Sequence, residues 1–143
     1  MDLVADLPNS FYRVAACALI WNDTRDKFLI ALREDGEWEL PGGGWEFGET
    51  GPETVRREIE EEMGLSARVL RPQPDYLITT QIERGPRQGL WKMAAIFETE
   101  LEHLNFNLSP DCQEIRFVNL NNLDTLPVFP RVRKLAELIA KHS

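Results

Sequence analysis

The chain has 143 residues, 43% hydrophobic and 28% charged, which suits one compact domain with a real core and leaves no room for two. Its net charge of −8 offers no basic stripe of the kind that tracks a nucleic-acid backbone, although a divalent cation would still let an acidic protein hold an anionic substrate. Cys17 in an apolar run and Cys112 in a polar loop make neither a disulfide framework nor a zinc spacing and read as two reduced thiols, while His103 and His142 stand far apart without ligand partners.

The opening residues, MDLVADLPNS, carry two acids and no basic stretch, so they do not read as a signal peptide. The longest apolar run, Val14 to Trp21, is too short to span a bilayer. These readings predict a cytoplasmic enzyme or binding module with no membrane partner. Phe11 to Asn22 reads as a buried strand, and a turn from Asn22 to Lys27 leads to a second strand, Phe28 to Arg33. Glu34-Asp35-Gly36 turns the chain into a short extended piece, Trp38 to Leu40, and Pro41-Gly42-Gly43-Gly44 then breaks regularity.

A helix is predicted from Gly51 to Met63. Thr50 is its N-cap, Glu53 completes a capping box, Pro52 fits the first turn, and Gly64 with Leu65 supplies the C-terminal stop. Ala67 to Leu70, Tyr76 to Arg84, Leu90 to Thr99 and Ile115 to Leu120 read as strands, with a loop from Arg84 to Gly89. Arg131 to Lys141 closes the chain as an amphipathic helix carrying Val132, Leu135, Leu138 and Ile139 on one face. Strands around two separated helices predict a mixed sheet with helices packed on it.

The chemistry concentrates on the first helix. Val55, Ile59 and Met63 form its core-facing stripe, which puts Glu58 and Glu62 on the stripe's border, one turn apart, and Glu61 just beyond. Arg57 stands at helical spacing from Glu53 and Glu61, and Arg56 from Glu60, whereas Glu58 and Glu62 have no basic residue three or four positions away. Two carboxylates about 5 Å apart repel by roughly 3 kcal/mol at an effective dielectric near 20. Acids in the last turn oppose the helix dipole by a further 0.3–1 kcal/mol or so each. A solvated acidic face is the ordinary explanation of such a run, but it leaves those two partnerless acids and the glycine turn beside them unaccounted for. Magnesium is a hard cation that takes one to three carboxylates and keeps positions for water and phosphate oxygens, and it fits both.

Gly43, Glu49, Arg57, Glu58, Ile59, Glu61, Glu62, Gly64 and Leu65 fill all nine specified positions of a 23-residue pattern that resembles the Nudix box, and the run Trp38-Glu39-Leu40-Pro41-Gly42-Gly43 resembles the MutT-like branch of that family. The resemblance implies the Nudix fold, an α/β/α sandwich around a central mixed β-sheet with a loop–helix–loop box. It also implies an Mg²⁺-dependent hydrolase, with Mn²⁺ as substitute, that cleaves a nucleoside diphosphate linked to another moiety. Carried over by position, Glu58, Glu61 and Glu62 would hold metal with a backbone carbonyl of Gly42 or Gly43, and Glu49 and Arg57 would pair behind them. Glu58 is the expected general base acting on a metal-bound water, with Asp111 and Glu114 as alternative suppliers of a base or ligand.

The substrate is less legible. Among the aromatics Phe11, Tyr12, Trp45, Phe47 and Trp91, the pair Trp45 and Phe47 lies in the glycine turn, close to the expected metal site, and Trp38 reads as an anchor beneath the loop. Arg13, Arg33, Arg84, Arg87 and Lys92 are candidate phosphate clamps, Arg33 and Arg87 first. Thr80 and Gln81 stand where relatives acting on ADP-ribose resemble one another in a proline, and Ile82 and Glu83 where dinucleoside polyphosphate hydrolases tend to carry a tyrosine. By subtraction the expected substrate is a small nucleotide, a nucleoside triphosphate, with a sugar nucleotide or dinucleoside polyphosphate as alternatives. A nucleotide-binding module without turnover is the competing class, disfavoured because every box glutamate is present. Relatives are often homodimers, but no strand or patch in the sequence reads as an interface.

Overall fold

The computed structural model describes residues 12–142. The opening residues, Phe11 among them, lie outside that range. The elements in chain order are β1 (Tyr12–Leu19), β2 (Phe28–Leu32), β3 (Trp38–Glu39), β4 (Gly42–Gly44), α1 (Gly51–Met63), β5 (Ala67–Val69), β6 (Tyr76–Gln81), β7 (Trp91–Leu101), β8 (Glu114–Val118), a 3-10 turn (Leu120–Thr125) and α2 (Pro130–Lys141).

Strand β1 organises the molecule. It pairs parallel with β7 and antiparallel with β4, while β5 and β6 pair antiparallel with successive parts of β7, giving a mixed five-stranded sheet. A second, antiparallel sheet runs β3-β2-β8. Side-chain alternation along β1 and β7 then makes two cores. Ala16 and Ala18 with Ala95 and Phe97 meet Val55, Ile59 and Met63 of α1. Ala15, Cys17 and Leu19 with Ala94 and Ile96 meet Val132, Leu135 and Ala136 of α2. The expected α/β/α layering is present, distributed over two sheets.

Helix α1 has the predicted limits and caps: Thr50 and Glu53 form the capping box, and Gly64 takes a left-handed φ of 68° with its N–H donating to the Glu60 carbonyl. One expectation fails locally. Pro41 to Gly44 does not simply interrupt the chain, because Gly42, Gly43 and Gly44 pair with Cys17, Ala16 and Ala15. Glycine is needed there for close approach: a Cβ on Gly42 would run into the Ala16 carbonyl oxygen and the Cys17 Cα. Other strands end earlier than expected, β6 at Gln81 and β8 at Val118, with Leu120 starting the 3-10 turn. The outer edge of β6 is blunted by α2, whose Lys134 Nζ donates to the Thr79 carbonyl at 2.7 Å. No helix among the described residues is long and apolar enough to cross a membrane.

Candidate active site

The loop between β4 and α1 is fixed to the helix by one arginine. Arg57 Nε donates to Glu49 Oε2 at 2.8 Å and its Nη2 to Glu49 Oε1 at 3.0 Å, a bidentate fork. Nη2 also reaches the Gly44 carbonyl at 3.0 Å, tying helix to β4. Nη1 donates to Glu58 Oε1 at 2.8 Å and lies 3.5 Å from Glu61. The hydrogen bonds from Arg57, above all, hold the Glu49 carboxyl down at about 2, assisted by the Thr54 hydroxyl. Glu58 is therefore not without a basic neighbour, as helical spacing alone suggests. Its partner is the adjacent residue, whose long side chain curls around the helix. Glu53, at helical spacing from Arg57, is engaged in the capping box.

Glu62 is different. It is 7% exposed, and no Lys, Arg or His forms an ion pair with it among the described residues. Burial first, then the charges of Glu58 and Asp111, push its carboxyl up to about 9. Gly43 is the floor opposite: a Cβ there would stand 2.5–2.7 Å from the carboxyl atoms of Glu58. The missing side chain is what leaves room for this carboxylate. Behind the helix, the β7–β8 connection is pinned to the C-terminus of α1, with Asn107 N–H on the Met63 carbonyl at 2.8 Å and Ser109 Oγ on the Glu62 carbonyl at 2.6 Å. That clasp carries Asp111 into the field of Glu62.

The donor set suits a hard divalent cation: carboxylate oxygens on a half-buried shelf, one of them desolvated beside other acids, with a glycine cradle opposite. As the side chains stand, no three His, Cys, Asp or Glu residues among those described converge enough to ligate one ion. Glu61 is the outlying member, with a side chain 59% exposed and directed at Arg57.

The other expected residues divide. Trp45 is held by the fold itself, its indole N–H donating to the Glu49 carbonyl at 2.8 Å and its ring edge-on to Phe97 at 6.3 Å. Phe47 is fully exposed at the loop tip. Arg33 lies 3.5 Å from Asp111, bridging β2 to the β7–β8 loop, and its guanidinium stacks 5.4 Å over the Phe129 ring. Arg87 is exposed in the β6–β7 connection. Glu114 belongs to β8, where it pairs with Arg116 at 3.1 Å. Asp111 is thus the alternative acid that the structure draws toward the glutamates.

A cavity of about 360 Å³ lies between β3, the ends of β6 and β7, and the start of α2. Its buried wall is an ion pair, Arg131 Nε to Glu39 Oε2 at 2.9 Å. Arg131 Nη1 also reaches Cys17 Sγ at 3.5 Å, and Cys17 is paired with Gly42, so this cavity adjoins the glycine strand of the box. Lys92, half-buried on β7, and Arg84 share the lining with the acids Asp35, Glu37 and Glu83; burial, then the charge of Arg131, lowers the proton affinity of Lys92. Glu39 and Arg131 were not singled out by sequence reasoning. Arg131 precedes Leu135 and Leu138 at i+4 and i+7, so its place on the apolar stripe of α2 was a readable signal.

Comparison with known proteins agrees with this geometry. The NUDIX domain model matches residues 11–139. A nucleoside triphosphatase NudI from Enterobacter sp. (strain 638) is 31% identical over 124 residues, covering 80% of this chain and 86% of that protein. NudI of Escherichia coli O139:H28 is 28% identical over 121 residues, covering 78% and 84%. The fold is shared with the MutT protein of Methanosarcina mazei Go1, at a TM-score of 0.73, 23% identity and coverage of 95% and 98%. With the box complete and its loop, helix and sheet in place, the chain belongs to the Nudix hydrolase family and is an enzyme of that class.

Proposed function

We propose that the protein is a divalent-metal-dependent pyrophosphohydrolase acting on a nucleoside triphosphate. The observation that carries this reading is the buried Glu62 beside Glu58, an acid pair that keeps a proton where a divalent cation could take its place and whose floor, Gly43, leaves space at Glu58. The triphosphate is suggested by the likeness to the NudI proteins, which are nucleoside triphosphatases.

In this reading Glu58, Glu61 and Glu62 would hold Mg²⁺ or Mn²⁺, with a Gly42 or Gly43 carbonyl. When bound, the ion would neutralise phosphate oxygens and acidify a water. Glu61, directed at Arg57 in the structure, would have to turn from it to join the set. Glu58 takes the proton from the attacking water as general base, kept in place on one side by Arg57 and given room by Gly43 on the other. Glu49 and Arg57 keep loop and helix in register. Asp111, near Glu62, is the second candidate for base or ligand, ahead of Glu114. The two cysteines, both free and buried, accord with a reducing, cytoplasmic setting.

Incubation with a panel of nucleoside triphosphates, sugar nucleotides and dinucleoside polyphosphates tests the proposal. Pyrophosphate release from a triphosphate with Mg²⁺, abolished by chelator, is the expected result. Turnover confined to another class, or undiminished by chelator, would overturn it.

A further inference from the structure

The run from Trp38 to Gly43 that leads into the box is stitched to the C-terminal helix at two levels. The backbone makes the first: Trp38 N–H donates to the Pro127 carbonyl at 2.9 Å, and Phe129 N–H to the Trp38 carbonyl at 3.0 Å. The second is the pair of Arg131 and Glu39, whose side chains are only 13% and 9% exposed. Glu39 uses both oxygens, Oε2 accepting Arg131 Nε at 2.9 Å and Oε1 accepting the Leu40 N–H at 2.9 Å. Arg131 Nη1 reaches Cys17 Sγ at 3.5 Å, and Cys17 is the residue that Gly42 pairs with across the sheet. Between them, Ala18 N–H donates to the Pro41 carbonyl at 2.8 Å. Gly42 in turn directs its N–H to the Glu62 carboxyl. One guanidinium thus grips both flanks of the Leu40–Gly42 turn, and that turn ends on a box glutamate.

Neither helix formation nor stability accounts for this arginine. It stands in the first turn of α2, where a cation opposes the helix dipole. A buried ion pair also seldom stabilises a fold more than apolar side chains of the same size would. We propose that Arg131 is a positioning residue for the metal-binding box, holding through Glu39 and Cys17 the turn that presents Gly42 and Gly43 to the box glutamates. The inference rests on the metal reading above and adds a support from the far end of the chain. Removing a group that orients metal ligands from behind commonly costs about 10- to 100-fold in metal affinity or activity.

Titration of the nucleotide-free protein with Mn²⁺, followed by the electron paramagnetic resonance of the free ion, tests this without turnover. Arg131→Met should weaken Mn²⁺ binding by about tenfold or more. A role confined to the adjoining cavity would leave that affinity unchanged. The single variant strands Glu39 without its partner and so may not fold. The double variant Glu39→Leu with Arg131→Met, which replaces the pair by apolar side chains, then carries the result. Leu138→Ala is the control, because it loosens the same helix on its β6 side. It should lower the melting temperature and keep wild-type Mn²⁺ affinity. Hydrogen exchange of the metal-free protein gives a second reading: in the Arg131 variants the Gly42 amide should lose protection while Ile59, inside α1, keeps it. Wild-type Mn²⁺ affinity in the double variant, or equal weakening by Leu138→Ala, overturns the inference and leaves the hydrolase reading intact. No Mn²⁺ binding by the wild type sinks the metal reading instead, and the Gly42 amide then decides whether Arg131 sets the turn.

Discussion

Glu49 and Glu62 belong to the same loop–helix unit, yet their surroundings drive them in opposite directions, one carboxyl held down at about 2 and the other pushed up to about 9. Glu49 faces the fork of Arg57 and a threonine hydroxyl, which favour its charged form. Glu62 faces the interior and two further acids, which penalise it. An acid clamped by a guanidinium sets the shape of the loop. An acid buried among acids instead keeps its proton at neutral pH unless a cation takes that proton's place. The division between scaffold and site therefore runs through one short segment rather than between distant parts of the molecule.

Four experiments bear on that division, the largest effect first. Glu58→Gln keeps the shape of the side chain but removes the proposed base, and turnover with Mg²⁺ should fall by about 100- to 10,000-fold. A rate near wild type would return the role to Asp111. Gly43→Ala should cost about 100-fold in rate, because its Cβ meets Glu58 and a displacement of this kind misplaces a reacting group. Gly44→Ala, whose Cβ meets only Arg13 at an ordinary 3.7 Å, is the control that should stay near wild type. Were both equally damaged, the cradle reading of Gly43 would be wrong.

Arg57→Ala probes the scaffold side. It strips the Glu49 and Glu58 carboxylates of their charged donor, and chemical denaturation should register a loss of about 2 kcal/mol. An unchanged midpoint would make the clamp incidental. The last test is a slope of stability with pH in chelator. The Glu62 carboxyl titrates near 9 when folded and near 4.5 when unfolded, so the folded state holds the extra proton between those values. Its contribution to stability is full below about 4.5 and is lost as pH rises toward 9. Glu49 does the reverse, contributing above 4.5 and losing its effect as pH falls toward 2. Glu62→Gln should flatten the alkaline slope alone, and Mg²⁺ should do the same in the wild type. An alkaline slope unaltered by the substitution would place the titrating group elsewhere.

Much was legible along the chain because the relevant forces are local. The limits of α1 followed from Thr50, Glu53 and Gly64, whose hydrogen bonds close within one helical turn. The Glu49–Arg57 pair joins residues eight apart. Gly42 to Gly44 misled for the opposite reason: glycines read as a break until β1 supplies a partner across the sheet.

What sequence alone determined here is the box, its helix and the acids it carries, since periodicity and capping act over a few residues. Only the tertiary structure decided which of those acids is buried and which is clamped. It also closed the distance between Glu39 and Arg131, whose pairing needs strand β3 and helix α2 to be packed together. The charge state of an acid depends on everything within several ångströms, and chain order does not reveal who those neighbours are.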